Sequence, residues 1–217
     1  MQIGRFITIE GGEGVGKSTQ IEAVRATIAS AGYVVVTTRE PGGTERAERI
    51  RDLLLTPTAE AMPLACELLL MFAARSTHLE NVIRPALEQG RWVICDRFTD
   101  ASYAYQGGGR GVPHEQIAFL ERFVQGDLRP DLTLLLDAPI ELAMARARRR
   151  NSDRGERLGD RFEREQNAFF DKVRAAYVTI ARDEPERIKV IDAAQPIEQV
   201  RFAVEEIVTN FIRQVRR

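Results

Sequence analysis

Residues 11–18 read Gly-Gly-Glu-Gly-Val-Gly-Lys-Ser, set between the apolar run Phe6-Ile7-Thr8-Ile9 and a helix-forming stretch from Thr19 to Ala31. Strand, glycine-rich loop and helix, in that order, is the context in which G-x-x-x-x-G-K-[ST] cradles phosphates. Glycines let successive N–H groups turn inward as an anion nest, and the helix N-terminus adds partial positive charge. Gly11, Gly12, Glu13, Gly14, Val15, Gly16, Lys17, Ser18 and Thr19 are therefore the expected ATP-binding residues. Lys17 would reach the outer phosphates, and the Ser18 hydroxyl would face Mg²⁺.

Outward from this loop, strands and helices alternate. Tyr33–Thr38, Trp92–Cys95, Leu132–Leu136 and Ile188–Ile191 read as further short apolar strands. Helices are predicted over 19–31, 44–55 (with Ile50, Leu53 and Leu54 on one side), 63–89 with a bend or break near Pro85, 98–107, 113–125, 140–149, 160–183 and 196–214. Continuous apolar strands separated by helices argue an α/β fold with a parallel five-stranded sheet flanked by helices. No linker or repeat divides residues 1–217, which read as one domain. In such folds the active groups lie at the carboxyl ends of the strands. The polar clusters Gly11–Ser18, Arg39–Gly43 and Asp96-Arg97 follow the first three strands and would share one rim.

The 217 residues carry a net charge of −1, which argues against a dedicated nucleic-acid binder. Hydrophobic residues make up 44%, enough for a core without disulfides. Cys66 and Cys95 read as reduced core residues, and no Cys/His cluster suggests zinc. The first strand begins within about five residues of the start, leaving no room for a signal peptide. No apolar run approaches the roughly 18 residues of a membrane span. A cytoplasmic location is the expectation.

Asp96, after an apolar strand, suits a Mg²⁺-organising carboxylate, though a helix cap or a salt bridge to Arg97 would also use it. Asp137 also ends a strand, but Ala-Pro follows and a capping role is expected. The guanidinium of Arg97 suits a phosphate clamp, and Arg39 and Arg51 read similarly. Arg75, in an apolar helix, must find a partner or solvent. Arg146, Arg148, Arg149, Arg150, Arg154, Arg157 and Arg161 form a dense basic stretch broken by Gly155 and Gly159. It reads as a lid over residues 150–160 that closes arginines on transferring phosphates. Gly107–Gly111 suggests a hinge or a turn that approaches a ligand.

Together, Glu10–Thr19, Thr38-Arg39-Glu40-Pro41-Gly42-Gly43-Thr44, Asp96-Arg97-Phe98, Ala104–Gly111, Arg129–Thr133 and Asp160-Arg161-Phe162-Glu163 resemble the thymidylate kinase family across essentially the whole chain. The resemblance implies a P-loop nucleoside-monophosphate-kinase fold, a homodimer, and Mg²⁺-dependent transfer of the ATP γ-phosphoryl to dTMP. It implies that Arg97 holds the dTMP phosphate with Arg39 and Arg51 nearby, and that Glu13 lies close to the sugar 3′-OH or the Mg²⁺ shell. Arg75 would reach thymine O4, Ser102 and Gln106 would face the base edge, and Tyr105 would lie under the sugar. Glu40, Pro41, Phe162 and Glu163 join this dTMP-binding set through their motifs.

Two features depart from or refine the pattern. Family members commonly carry Phe four residues before the base-reading arginine; here that position is Met71, and Phe72 is next. One residue turns a helical side chain by about 100°, so the setting of the helix decides whether Met71 or Phe72 meets the ring. The phosphate loop has no arginine, as in the bacterial class whose catalytic arginine lies in the lid, and Arg150, Arg154 and Arg157 are all candidates. Other small-molecule P-loop kinases and P-loop ATPase switches share the loop; a GTPase would need an N-K-x-D motif that this chain lacks.

Overall fold

The apolar runs form β1 (Phe6–Glu10), β2 (Val35–Arg39), β3 (Trp92–Asp96), β4 (Leu132–Asp137) and β5 (Ile188–Asp192). The structure, a computed structural model, describes residues 4–153, 161–162 and 165–216. All pairings are parallel, in the order β2-β3-β1-β4-β5. The helices are α1 (Lys17–Ser30), α2 (Glu45–Leu55), α3 (Leu64–His78), α4 (Arg84–Glu88), α5 (Thr99–Ser102), α6 (His114–Gln125), α7 (Ile140–Asp153), α8 (Asn167–Asp183) and α9 (Ile197–Val215).

Alternation along the strands decides what covers each face. Ile7, Ile9, Ile94, Leu132 and Leu134 pack against Val24 and Ile28 of α1 and Val204 and Val208 of α9. On the opposite face Phe6, Val93 and Cys95 meet Leu79, Ile83 and Phe98, while Leu135 meets Phe170, Val173 and Tyr177. With β1 central, the chain passes from β3 across to β4, and the carboxyl ends of β1 and β3 flank the crevice where such folds bind ligands.

Two wide helical turns answer the ambiguous stretches. Between α3 and α4, Leu79–Ile83 is π-helical. Pro85 lacks an N–H and would crowd the carbonyl four residues back in a regular α-helix, and the wide turn relieves both. Gly90 ends the run as expected: its N–H reaches Leu87 O and that of Arg91 reaches Ala86 O, a Schellman closure. After α5 a second π-helical segment spans Tyr103–Gly109. The Gly107–Gly111 run is thus partly helical, and Gly108 lets α8 approach, since a Cβ there would collide with Ala176. This helix is anchored below the site. Arg187 donates to both carboxylate oxygens of Asp100 (2.7 and 2.9 Å), and Thr99 Oγ1 donates to Gln125 Oε1 (2.6 Å).

Four local expectations are corrected. Helix α8 starts at Asn167 rather than 160; Arg161 before it is tied to the end of α2, its N–H donating to Leu55 O (3.0 Å) and its Nε to Leu54 O (2.7 Å). Cys66 is exposed, since α3 turns Glu67 and Leu68 inward instead; Cys95 is buried. In α2, Leu54 is buried but Leu53 is exposed. Asp137 forms a two-pronged ion pair with Arg174 (2.7 and 2.8 Å) where a cap was expected.

Candidate active site

A cleft of about 640 Å³ opens at the carboxyl ends of β1, β2 and β3. Its phosphate end is built on Arg97, which follows β3 with φ 65°. A left-handed non-glycine residue costs on the order of 1–3 kcal/mol, so neighbouring bonds must hold it. They do: Arg97 N donates to Ile9 O (3.0 Å), and Phe98 N donates to Glu10 Oε1 (2.7 Å). The turn sends the guanidinium back over β1. Nη1 donates to Gly11 O (2.7 Å) and Tyr177 Oη (3.2 Å), and Nη2 to Glu13 Oε1 (2.6 Å). Tyr105 closes the group, donating to Glu13 Oε1 (3.3 Å) with its ring beneath Arg97.

Electrostatics divides two neighbouring carboxylates. Burial alone would raise Glu13, but Arg97, Lys17 and Arg150 hold its pKa down to about 2. Glu10 is buried deeper, beside Asp100, and is pushed up to about 7 despite Arg97 and the hydrogen bond from Tyr177 Oη (2.7 Å). Burial and Arg97 lower the Lys17 ammonium, which donates to Gly12 O (2.9 Å) and Gly11 O (3.3 Å). The loop lies tight on α7: at Gly14, φ 72°, a Cβ would overlap the Ala143 carbonyl.

Asp96 and Ser18 line the same end. Asp96 Oδ1 is buried without a hydrogen-bond partner among the described residues. A carboxylate oxygen and a hydroxyl are hard donors that fit Mg²⁺, which is usually held by one or two carboxylates plus substrate phosphates.

The base end is organised around Arg75, 3% exposed. Its Nε donates to Glu40 Oε2 (2.7 Å), and Nη2 to Phe98 O (3.1 Å) and Ser102 Oγ (3.0 Å). Glu40 is held in turn by His78 Nδ1 (3.0 Å), whose Nε2 meets Thr38 Oγ1 (2.7 Å). Gln106, fully buried, donates through Nε2 to Glu67 Oε1 (2.9 Å). Ser102 and Gln106, one helical turn apart, share the cleft face with Tyr105.

Most expected residues therefore converge. Thr19, Arg39, Pro41, Arg51, Met71, Arg150 and Phe162 line the cleft with those described above. Arg39 pairs with Glu48 (2.7 Å), and Arg51 donates to Pro41 O (2.9 Å). Gly11, Gly12 and Val15 form the side of the loop that meets α7 and α8, with Val15 in the core. Phe72 does not reach the cleft. It packs with Leu68, Val112 and Ile117, so Met71 occupies the position facing the ligand space. Arg154, Arg157 and Glu163 lie outside the described residues, as does most of the expected 150–160 lid. Sequence reasoning did not single out Arg146 as a cleft residue, though it stands one turn before Arg150 on α7 and that i,i+4 spacing was readable. It also missed Glu10, Tyr177 and Glu67, whose partners come from distant segments.

Comparison with known proteins shows the family. A family model described as Thymidylate kinase matches residues 9–204. The chain is 56% identical to a thymidylate kinase of Pseudomonas entomophila and to one of Pseudomonas fluorescens, in each case over 98% of this chain and 99% of the relative. A solved structure of thymidylate kinase from Ehrlichia chaffeensis superposes with a TM-score of 0.73 at 34% identity, covering 95% of this chain and 98% of that one.

Proposed function

This chain belongs to the thymidylate kinase family, which phosphorylates dTMP to dTDP with ATP, and we propose that its cleft divides that reaction between a phosphate end and a base end. The observation that carries the base assignment is a pair of buried atoms without a hydrogen-bond partner among the described residues: Arg75 Nη1, a donor, and Gln106 Oε1, an acceptor. Thymine offers the complement, an O4 acceptor beside an N3–H donor. Cytosine reverses both, an N4 amino donor beside an N3 acceptor. A site built to hydrogen-bond one pattern rejects the other strongly, because its own buried groups are left unpaired. Met71 packs against the ring, and Tyr105 under the sugar disfavours a ribose 2′-OH by bulk.

At the phosphate end, Lys17 and the N–H groups of the loop hold the ATP phosphates, while Arg97 receives the dTMP phosphate with Arg39 and Arg51 nearby. Glu13 gives up part of its hold on Arg97 to the incoming phosphate. Ser18 and Asp96 would hold Mg²⁺, which when bound supplies charge neutralisation at the phosphate oxygens. The acceptor oxygen is already anionic, so no strong general base is required; alignment and charge stabilisation carry the rate. Arg146 and Arg150 approach from α7, with Arg154 and Arg157 as further candidates on the lid expected over 150–160. Residues 1–217 are read as one kinase domain. A homodimer and a cytoplasmic location belong to the same reading. In support of the dimer, Leu69 on α3 and the stacked Phe119 and Phe123 on α6 are exposed apolar groups; in support of the location, no helix among the described residues is long and apolar enough to cross a membrane.

A coupled ADP-release assay over dTMP, dUMP, UMP, CMP, dCMP, AMP and thymidine tests this function. The expected result is preferred turnover of dTMP, with kcat/KM for dCMP lower by at least about 100-fold. Turnover of dTMP no faster than background ATPase would overturn it.

A further inference from the structure

Glu67, on α3, is 1% exposed and takes no part in the phosphate chemistry. Its Oε1 accepts from Gln106 Nε2 (2.9 Å). Its Oε2 faces two guanidinium groups, Arg161 Nη1 at 2.7 Å and Arg110 Nε at 3.4 Å. Both arginines are pinned from behind. Arg161 Nε donates to Leu54 O (2.7 Å), with its guanidinium over the Phe162 ring; Arg110 Nη1 pairs with Glu165 (2.5 Å) and lies over Phe169.

A carboxylate between two guanidinium groups is an acceptor at both oxygens, so it can take only the NH₂ side of a neighbouring amide. An amide beside a neutral partner could turn over and exchange acceptor for donor at little cost. Gln106 has no such freedom: its Nε2 must face Glu67, and its Oε1, buried without a hydrogen-bond partner among the described residues, is the free end of a side chain that lines the cleft. We propose that Glu67 is a positioning residue for base selection, which locks the Gln106 amide so that it presents an acceptor to the base. It would thereby favour pyrimidines carrying N3–H over those carrying an N3 lone pair. Arg161 and Arg110 hold the carboxylate in place for this role. The inference rests on the reading of this cleft as the dTMP site.

The measurement is the ratio of kcat/KM for dTMP to that for dCMP. In the unaltered protein this ratio tests the underlying reading: if dTMP is not preferred, the site assignment fails whatever Glu67 does. If it is preferred, Glu67→Gln should lower the ratio by at least about tenfold, with dCMP gaining relative to dTMP. A merely structural defect would depress both substrates together and leave the ratio where it was. In a Gln106→Ala background, adding Glu67→Gln should leave the ratio unchanged, because the amide it orients is gone. Arg161→Met leaves the carboxylate and Arg110 in place, so it should lower the ratio in the same direction but by less than Glu67→Gln. The inference is overturned if the ratio in Glu67→Gln stays within about twofold of the unaltered protein, if it falls equally in the Gln106→Ala background, or if Arg161→Met shifts it as far. Should Glu67→Gln not fold, Glu67→Asp draws the carboxylate back from Gln106 while preserving charge; it must lower the ratio in the same direction, and an unchanged ratio overturns the inference.

Discussion

Arg75 and Arg97 stand at opposite ends of one cleft, and their partners differ in kind. Arg75 is tied to Glu40, which is tied through His78 to Thr38, a chain that runs away from the cleft into β2 and α3. Arg97 is tied to Glu13 and Tyr177, and although both carboxylates line the cleft, the Glu13 side chain is 21% exposed against 5% for Glu40. The base end thus holds a fixed donor pattern, as recognition of a neutral ring edge demands. The phosphate end holds a charge whose partner can be exchanged, as stabilisation of a transferring phosphoryl group demands.

The largest test of this contrast is Arg97→Ala. Loss of a phosphate-clamping arginine should lower kcat by about 10³-fold or more in the ADP-release assay. A normal rate and normal dTMP affinity would break the comparison at its phosphate end. Arg75→Ala should act next most strongly, and mainly on the fold. It strands the Glu40 carboxylate in the core, a change worth about 3–5 kcal/mol in urea unfolding. The stability loss in Arg97→Ala should be smaller, because Glu13 can turn to solvent; equal losses would mean that both arginines are structural.

The two carboxylates near Arg97 sharpen the contrast through pH. Glu13 titrates lower in the folded state, near 2 against 4.5, so its stabilising contribution is present above about 4.5 and is lost as pH falls toward 2. Glu10 titrates higher, near 7 against 4.5, so its contribution is present below about 4.5 and is lost as pH rises through 7. In unfolding curves from pH 3 to 8, Glu13→Gln should flatten the acid side and Glu10→Gln the neutral side. The opposite pairing would show that the two charge environments have been exchanged. The smallest effect concerns Met71 and Phe72. Met71→Phe should lower KM for dTMP a few-fold by adding ring contact, whereas Phe72→Met should cost about 1 kcal/mol of stability and leave KM alone. A KM change from Phe72→Met instead would place the wrong residue at the ring.

Much of the phosphate end was readable in the chain. Gly11–Ser18 lies between a strand and a helix, and Asp96-Arg97 ends another strand, so neighbours in sequence supply the chemistry. The base end was less readable. Met71 and Phe72 are both apolar and adjacent, and the packing of Phe72 against Val112 and Ile117 decides which one turns inward. Glu67 was not singled out in the chain, where it follows the exposed Cys66, yet it is buried among Gln106, Arg110 and Arg161. Asp137 read as a cap until Arg174 came within reach.

By itself the sequence determined the strand–helix alternation, the phosphate loop and the gathering of charge at one rim. These follow from periodicity and backbone stereochemistry, which act over a few residues. The tertiary structure alone decided the partner of each buried charge: Glu13 for Arg97, Glu40 for Arg75, and Glu67 for Gln106 with Arg161. A buried polar group must be satisfied by whatever the fold brings within about 3 Å, and that distance has no counterpart in sequence separation.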